Sequence, residues 1–404
     1  MSGDYGWMYK NRLALGTEKM RLLIYQWSAF LEKDIFDICK EKGICFKSFS
    51  WKFEDKNVDG KFLDWFQKSI DVSSFDALLS INYWPLLSQV CQERGIKYIA
   101  WCYDNPLNVV RIEETLGNPV NFVFLFDRIQ CRKYKDAGFD TVYHLPLGVN
   151  RTRMEKLVVS DQDAGKYKAE VALVGKLYES QLPEIMAPLN DYVRGFLDAL
   201  IKAQFGIRGS YLLDDWIQEE LIREINRQYL EKEPNTEVRM SREALNYAMA
   251  SEVTRRDRIV LLSLCGERFD TRLYSYQNSE IIRKVKKYPS VDYWTEMPQI
   301  FACSKINLNP SLRIIQTGIP LRAFDIMGAG GFLLSNYQEE LLELFEDGME
   351  MAVYESPEDA VEKIDFYLRH EDLRREIAER GKRKTFEEHS LQSRMETILR
   401  TADI

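Results

Sequence analysis

The feature that most constrains the fold of this 404-residue chain is a regular alternation of strand-like and helix-like segments. Between residues 20 and 150, continuous apolar runs alternate with stretches of helical periodicity, which is typical of parallel strands covered by helices on both faces. The runs that predict strands are Arg21–Trp27, Ile44–Trp51, Ala77–Ile81, Tyr98–Cys102, Phe122–Phe126 and Thr141–Leu145. This part of the chain therefore predicts an α/β domain with a doubly wound parallel sheet.

The alternation resumes after residues 151–168, a polar segment without strand signals that we predict to be a hinge. The later runs that predict strands are Glu170–Gly175, Ile259–Leu264, Arg272–Tyr276, Ile306–Leu308, Gly331–Leu334 and Met351–Tyr354. We therefore expect two tandem Rossmann-like domains, residues 20–150 and 169–389, that face a cleft. Residues 182–256 predict an all-helical insertion, residues 1–19 a flexible leader, and residues 390–404 a C-terminal helix.

Composition excludes several classes of function. The chain has 55 basic and 63 acidic residues, a net charge of −8, whereas a nucleic-acid coat needs a basic surface. Its apolar runs are far shorter than the roughly 20 residues that span a bilayer. Seven scattered cysteines without a C-x-x-C pair, and three histidines without ligand spacing, argue against disulfides and a protein-built metal site. We expect a cytoplasmic protein without a transmembrane segment that does not bind nucleic acid.

Polar and glycine residues are concentrated in one strand–helix–strand segment, Lys305–Ser335. Small polar residues end a strand, and a turn then enters a helix whose first N–H groups predict an anion site. Arg322 adds a fork for phosphate, and Asp325 is placed to accept hydrogen bonds from ribose hydroxyls. The candidate donor-binding residues of this segment are Asn307, Asn309, Ser311, Thr317, Gly318, Ile319, Pro320, Arg322 and Asp325.

Two further loops follow strands and carry candidate residues. Gly175 permits a close backbone approach to a ligand and Lys176 can neutralise phosphate, although a plain turn with a surface lysine fits the same pattern. Asp104 ends a strand of the first domain, where a carboxylate can act as a general base toward a hydroxyl. Because Pro106 follows closely, Asp104 also fits an ordinary helix N-cap, and both interpretations stay open.

The second domain resembles the glycosyltransferase-like domain of the spore-maturation CgeB/YkvP type, within the GT-B superfamily. The segments that carry the resemblance are Tyr293–Pro298, Ser304–Ser311, Thr317–Leu334, Asn336–Glu340 and Arg380–His389. The first domain is similar to the usual N-terminal partner domain through Trp101–Pro106 and Leu145–Asn150. The resemblance implies that the second domain holds a nucleotide-sugar donor, and that the helix at residues 390–404 crosses back onto the first domain.

The chain departs from this pattern at one position. Retaining relatives carry two glutamates spaced E-x7-E; the second corresponds to Asp325, which would hold the ribose, but the first position is Thr317. The resemblance therefore leaves open whether transfer retains or inverts the anomeric configuration.

Together these features predict transfer of a sugar from a nucleotide diphosphate sugar to a hydroxyl acceptor on a glycan, cell surface or protein. Asp104 and Arg322 are the predicted catalytic residues, and cations and N–H groups, rather than a metal or cofactor, would neutralise the leaving diphosphate. Two alternatives stay open: a non-catalytic binding scaffold, which Thr317 favours, and a sugar-nucleotide epimerase, which the scarcity of histidines disfavours. We expect the helical insertion to shape an acceptor site or a homo-oligomer contact.

Overall fold

A computed structural model describes residues 20–404; the predicted leader, residues 1–19, lies outside the described residues. The chain forms two compact units. Unit 1 comprises the described residues up to Arg153 together with Glu388–Ile404, and unit 2 comprises Met154–Glu387.

Unit 1 is built on a parallel six-stranded sheet with the strand order β2-β1-β3-β4-β5-β6. Its strands are β1 Arg21–Gln26, β2 Cys45–Ser50, β3 Ala77–Ile81, β4 Lys97–Trp101, β5 Asn121–Leu125 and β6 Val142–His144. The helices are α1 Glu32–Glu41, α2 Gly60–Ser69, α3 Pro85–Arg94, α4 Glu113–Leu116, α5 Arg128–Asp136 and α6 Arg151–Glu155, which runs into unit 2. All six predicted strands are present, because continuous apolar runs mark strands that are buried on both faces.

Unit 2 carries a second parallel six-stranded sheet, in the order β12-β11-β10-β7-β8-β9. Its strands are β7 Ala169–Val174, β8 Thr271–Tyr274, β9 Lys286–Tyr288, β10 Ser304–Asn309, β11 Leu333–Asn336 and β12 Ala352–Tyr354. The helices α7–α12 are Asp161–Tyr167, Leu182–Met186, Asp191–Gly206, Leu213–Trp216, Glu219–Lys232 and Arg242–Arg268. The helices α13–α17 are Met297–Cys303, Leu321–Gly328, Glu339–Leu344, Pro357–Arg369 and Glu371–Glu388. The predicted fold class, two doubly wound α/β domains with a helical insertion in the second, is confirmed.

One strand prediction is wrong. Ile259–Leu264 lies in the second half of the 27-residue helix α12, and the strand that completes the sheet is the exposed segment β9. A short apolar run has the same composition in a buried helix as in a buried strand, so periodicity over six residues does not separate them. β9 escaped prediction because Lys286, Lys287 and Tyr288 are exposed and carry no apolar signal.

The insertion has its own hydrophobic core. It is made of α8–α11 and the first half of α12, which bury Leu197, Ile201, Leu213, Ile225 and Met249 against one another. Side-chain caps fix two of its helix starts: Asn190 accepts from the N–H of Val193, and Ser241 from the N–H of Ala244.

The segments at the boundaries of the units are helical. Residues 151–168, the predicted hinge, contain α6 and α7. The last helix, α18 Leu391–Thr401, belongs to unit 1, where the backbone of Val149 pairs with Ser390. Among residues 20–404, no helix is both long enough and apolar enough to cross a membrane.

Candidate functional site

The strand order of unit 2 reverses between β7 and β10, which are direct neighbours. In open α/β sheets, ligands bind at the carboxyl ends of the strands at this kind of reversal. Two loops leave the sheet here, one after Val174 and one after Asn309. The structure therefore brings together the predicted residues Gly175, Lys176, Asn309, Ser311 and Arg322, which we call the switch-point site.

Arg322 lies in the first turn of α14 and connects the two strand ends. Its Nε donates to Oδ1 of Asn309 at 2.9 Å and its Nη1 donates to the carbonyl of Val174 at 2.7 Å. Asn309 is buried, and its amide in turn donates to Oγ of Ser335 at 3.0 Å. Burial, followed by the neighbouring positive charge of Arg258, lowers the pKa of Arg322 well below its ordinary value.

Arg258 on α12 is a second guanidinium at this site, and sequence analysis missed it. It is 1% exposed and donates to the carbonyl oxygens of Lys176 and Pro310, while its guanidinium lies 4.8 Å from the ring centre of Tyr178. Burial lowers its pKa. Arg258 directly precedes the run Ile259–Leu264, to which we assigned a strand, so the continuous helix at residues 242–268 that carries it was not recognised.

Gly175 allows the loop after β7 to approach Arg322. Its φ is +146°, and a Cβ built at Gly175 would lie 2.4 Å from Nη1 of Arg322. The rest of the loop is fixed by Gln277, whose Oε1 accepts from the N–H groups of Leu177 at 2.7 Å and Tyr178 at 2.9 Å. The side chain of Lys176 is exposed beside this loop.

Two buried polar atoms at the site are unsatisfied. Nε of Arg258 and Oγ of Ser311 find no hydrogen-bond partner among residues 20–404. Ser311 itself is held in place, since its N–H donates to Oδ1 of Asn336 at 2.6 Å. An unsatisfied buried polar group costs about 1–3 kcal/mol, so its presence calls for a partner such as a ligand oxygen.

The charges at the switch-point site are unbalanced. The hydrogen-bond acceptors of Arg258 and Arg322 are neutral oxygens, from carbonyl groups and the amide of Asn309. The carboxylates that act on the pair from farther away, Asp257 and Asp325, are engaged elsewhere. Asp257 binds Arg208 and Arg313, and Asp325 accepts from the hydroxyl of Tyr293 at 3.1 Å. The site can therefore take up an anion with several oxygen acceptors.

Several predicted residues do not join this cluster. Asn307 is buried inside β10, where its amide donates to the carbonyl of Phe301 at 3.0 Å. Gly318 and Ile319 are buried, and Pro320 is the N-cap residue of α14, which begins at Leu321. The carboxylate of Asp325 is 1% exposed, so ribose recognition by this residue stays a prediction.

Thr317 has an acidic partner. Its Oγ1 donates to Oε1 of Glu340 at 2.8 Å, and the N–H of Glu340 donates to the carbonyl of Thr317 at 3.2 Å. Glu340 is 1% exposed. The position that holds a glutamate in E-x7-E relatives thus has a carboxylate beside it, supplied by α15.

In unit 1, Asp104 follows β4 and is held by Asn82. The amide of Asn82 donates to Oδ2 of Asp104 at 2.6 Å, and its oxygen accepts from the N–H of Asp104 at 3.2 Å. The N-cap interpretation is wrong, since α4 begins only at Glu113. Beside it, Tyr103 stacks on Trp27 with ring centres 6.5 Å apart.

Comparisons with known proteins agree with this architecture. Residues 242–400 match a family model described as glycosyl transferase-like. No curated protein sequence matches the chain. Among solved structures, a sucrose-phosphate synthase from Thermosynechococcus elongatus is 9% identical with a TM-score of 0.55, covering 95% of this chain and 99% of its own. HepE of Anabaena, in complex with UDP and glucose, is 11% identical with a TM-score of 0.52 at the same coverage.

A UDP-forming trehalose-phosphate synthase from Burkholderia xenovorans is also similar, at 11% identity and a TM-score of 0.50, covering 96% of this chain and 100% of its own. At such identities the similarity concerns the fold. The chain therefore has the two-domain α/β fold of the GT-B glycosyltransferases, and its residues 242–400 match the glycosyl transferase-like family.

Proposed function

We propose that this protein is a glycosyltransferase that uses a nucleotide diphosphate sugar as its donor. The observation that carries this proposal is the pair of buried guanidinium groups, Arg258 and Arg322, whose acceptors are neutral. A diphosphate offers the negative charge and the oxygen acceptors that this pair lacks. Similar structures support a uridine donor, since HepE of Anabaena forms complexes with UDP and with UDP-glucose.

In the proposed reaction, the bond between the anomeric carbon and the diphosphate oxygen breaks, and the electron pair leaves with the diphosphate. Arg258, Arg322 and Lys176 stabilise the charge that develops on this leaving group. Fixed cations in a site with little water act strongly on such charge and need no reorganisation. They supply the neutralisation for which other enzymes use a metal ion, so we propose that transfer needs no metal or cofactor.

The acceptor oxygen forms the new bond to the anomeric carbon, and its proton must go to a base. We propose Asp104, which Asn82 orients, as that base if transfer inverts the configuration. Asp325 and Thr317 remain the proposed contacts to ribose and to the donor sugar. The finer family assignment, to the spore-maturation CgeB/YkvP type, is part of this proposal, as are a glycan or protein acceptor and a cytoplasmic location.

The first experiment is a donor panel. Thermal shift and release of nucleotide diphosphate are measured with UDP-, GDP- and dTDP-sugars, and with a CMP-sugar as a monophosphate control. We expect one donor to stabilise the wild type and to be hydrolysed slowly. In Arg322→Ala, turnover should fall by about 100-fold or more, since one preorganised charge contact is worth roughly 3 kcal/mol at the transition state.

Arg375→Ala is the matched control, because the Arg375 side chain is 72% exposed on the same unit and pairs with Glu371 within its own helix. It should leave binding and turnover unchanged. If no donor stabilises the folded wild type, the transferase proposal is wrong, and the scaffold alternative gains support. Binding of a donor without any release of nucleotide diphosphate would also favour the non-catalytic binding scaffold.

A further inference from the structure

The helical insertion contacts the loop that follows β10, residues 310–316, which we call the donor loop. This loop contributes Ser311 and the carbonyl of Pro310 to the switch-point site. Three residues on one face of α12 hold it. Thr254 accepts from the N–H of Arg313 at 2.9 Å, Asp257 binds the guanidinium of Arg313, and Arg258 donates to Pro310. Their spacing places them on adjacent turns of the helix.

A second set of contacts comes from the outer part of the insertion. Arg208, which follows α9, binds Asp257 through two hydrogen bonds of 2.9 and 2.7 Å. Gln316 at the end of the donor loop donates to Oδ2 of Asp214 at 2.8 Å. Asn246 of α12 donates to the other oxygen of Asp214 at 2.6 Å. The donor loop is thus attached to α12 at Pro310 and Arg313, and to the outer part of the insertion at Gln316.

The Arg208–Asp257–Arg313 triad is largely buried, with side-chain exposures of 19%, 13% and 11%. Charged hydrogen bonds in such surroundings are stronger than those between neutral groups, and the planar fork of each guanidinium fixes their geometry. Asp257, which anchors the loop, directly precedes Arg258, which faces the anion site, in α12. A displacement of Asp257 therefore also displaces Arg258. Arg208 thereby acts on the anion site without lying in it.

We propose that the insertion is a positioning element for the donor site, and that Arg208 is its key positioning residue. Arg208 holds Asp257, which in turn binds Arg313 of the donor loop. Through this contact Arg208 fixes Ser311 and the carbonyl that orients Arg258. Our expectation from the sequence that the insertion shapes an acceptor site or a subunit contact is separate from this role and stays a prediction. The expected effect of Arg208 on nucleotide binding rests on the proposed function, whereas its effect on the order of the donor loop does not.

The test compares Arg208→Met with Arg223→Met in the full-length chain. Methionine keeps the aliphatic stem but removes the guanidinium. Arg223 lies on α11 of the same insertion, pairs with Glu220 and has a 69% exposed side chain. Hydrogen–deuterium exchange is measured without ligand, and UDP binding by calorimetry. In Arg208→Met we expect exchange of the donor-loop amides to be about tenfold faster and UDP affinity about tenfold lower, the scale of one lost charged hydrogen bond.

The outcomes separate this inference from the proposed function. Unchanged exchange in the donor loop of Arg208→Met, or equally faster exchange throughout unit 2, overturns the positioning role. Unchanged UDP affinity in a variant whose loop exchanges faster overturns it as well. If the wild type binds no nucleotide but the loop still exchanges faster, the positioning role holds and the proposed function fails. Should Arg208→Met not fold, Arg208→Lys keeps the charge but not the two-bond geometry, and the same two measurements apply.

Discussion

At the scale of single residues, the switch-point site depends on backbone carbonyls as much as on side chains. The carbonyls of Val174, Lys176 and Pro310 lie at the ends of β7 and β10 and orient Arg322 and Arg258. A planar guanidinium can reach two such carbonyls and still present an edge to a ligand, which the single ammonium of lysine cannot do. This explains why arginine, rather than lysine, occupies both positions.

Gly175→Ala tests the close approach between the loop after β7 and Arg322. The added methyl group would lie 2.4 Å from Nη1 of Arg322, at a φ of +146° that other residues rarely adopt. We expect displacement of the guanidinium and at least a tenfold loss of UDP affinity, measured by calorimetry. In the control Gly195→Ala, in α9, no described atom lies within 4 Å of the new Cβ, so this variant should bind normally and be stabilised by up to about 1 kcal/mol. Equal UDP affinities of the two variants would show that the close approach at Gly175 does not position Arg322 for binding.

At the scale of secondary-structure elements, α12 contributes to two hydrophobic cores of unit 2. Its first half packs in the core of the insertion, and Ile259, Leu261, Leu262 and Cys265 in its second half pack in the core of the sheet. Being a single helix, it transmits the position of the insertion to the switch-point site. A strand at Ile259–Leu264 would have separated the two cores.

Another element, α17, packs closely against the backbone of Glu350 because it carries a glycine, Gly381, at the contact. A Cβ at Gly381 would lie 2.2 Å from the carbonyl oxygen of Glu350. Gly381→Ala must push α17 away from this backbone, and overpacking of this kind costs roughly 2 kcal/mol in the free energy of unfolding. Urea denaturation measures it. Gly165→Ala in α7, where no described atom lies within 4 Å, is the control and should be neutral or stabilising. A stable Gly381→Ala protein would show that the helix can shift without cost.

At the scale of the whole molecule, the chain leaves unit 1 after Arg153 and returns at Glu388. One buried network joins the departing and returning segments within unit 1. Oδ1 of Asp34, on α1, accepts from Asn150 and from Arg153, each at 2.9 Å. Gln392 of α18 donates to Oδ1 of Asn150 at 3.0 Å. The carboxylate of Asp34 therefore holds the departing segment directly and the returning segment through Asn150.

Asp34→Ala removes the acceptor from this network, and with it the buried carboxylate to which the largely buried Arg153 donates. We expect the free energy of unfolding of unit 1 to fall by about 3 kcal/mol, as is usual when one partner of a buried ion pair is removed. Chemical denaturation followed by tryptophan fluorescence measures the loss. Asp37→Ala on the same helix removes an acid that is 55% exposed and pairs with Lys40, so its effect should stay below about 0.5 kcal/mol. A similar loss in both variants would refute the role of Asp34.

The sequence by itself determined the fold class, every strand of unit 1, the loop that carries Gly175 and Lys176, and the helix start that carries Arg322. These are local properties: a doubly covered strand must be apolar along its length, and a close turn needs glycine. Only the tertiary structure decided that Arg258 joins Arg322, that Thr317 meets Glu340, and that the insertion holds the donor loop. Those contacts join residues far apart in the chain, and no local periodicity encodes which distant charge, carbonyl or helix face a side chain will meet.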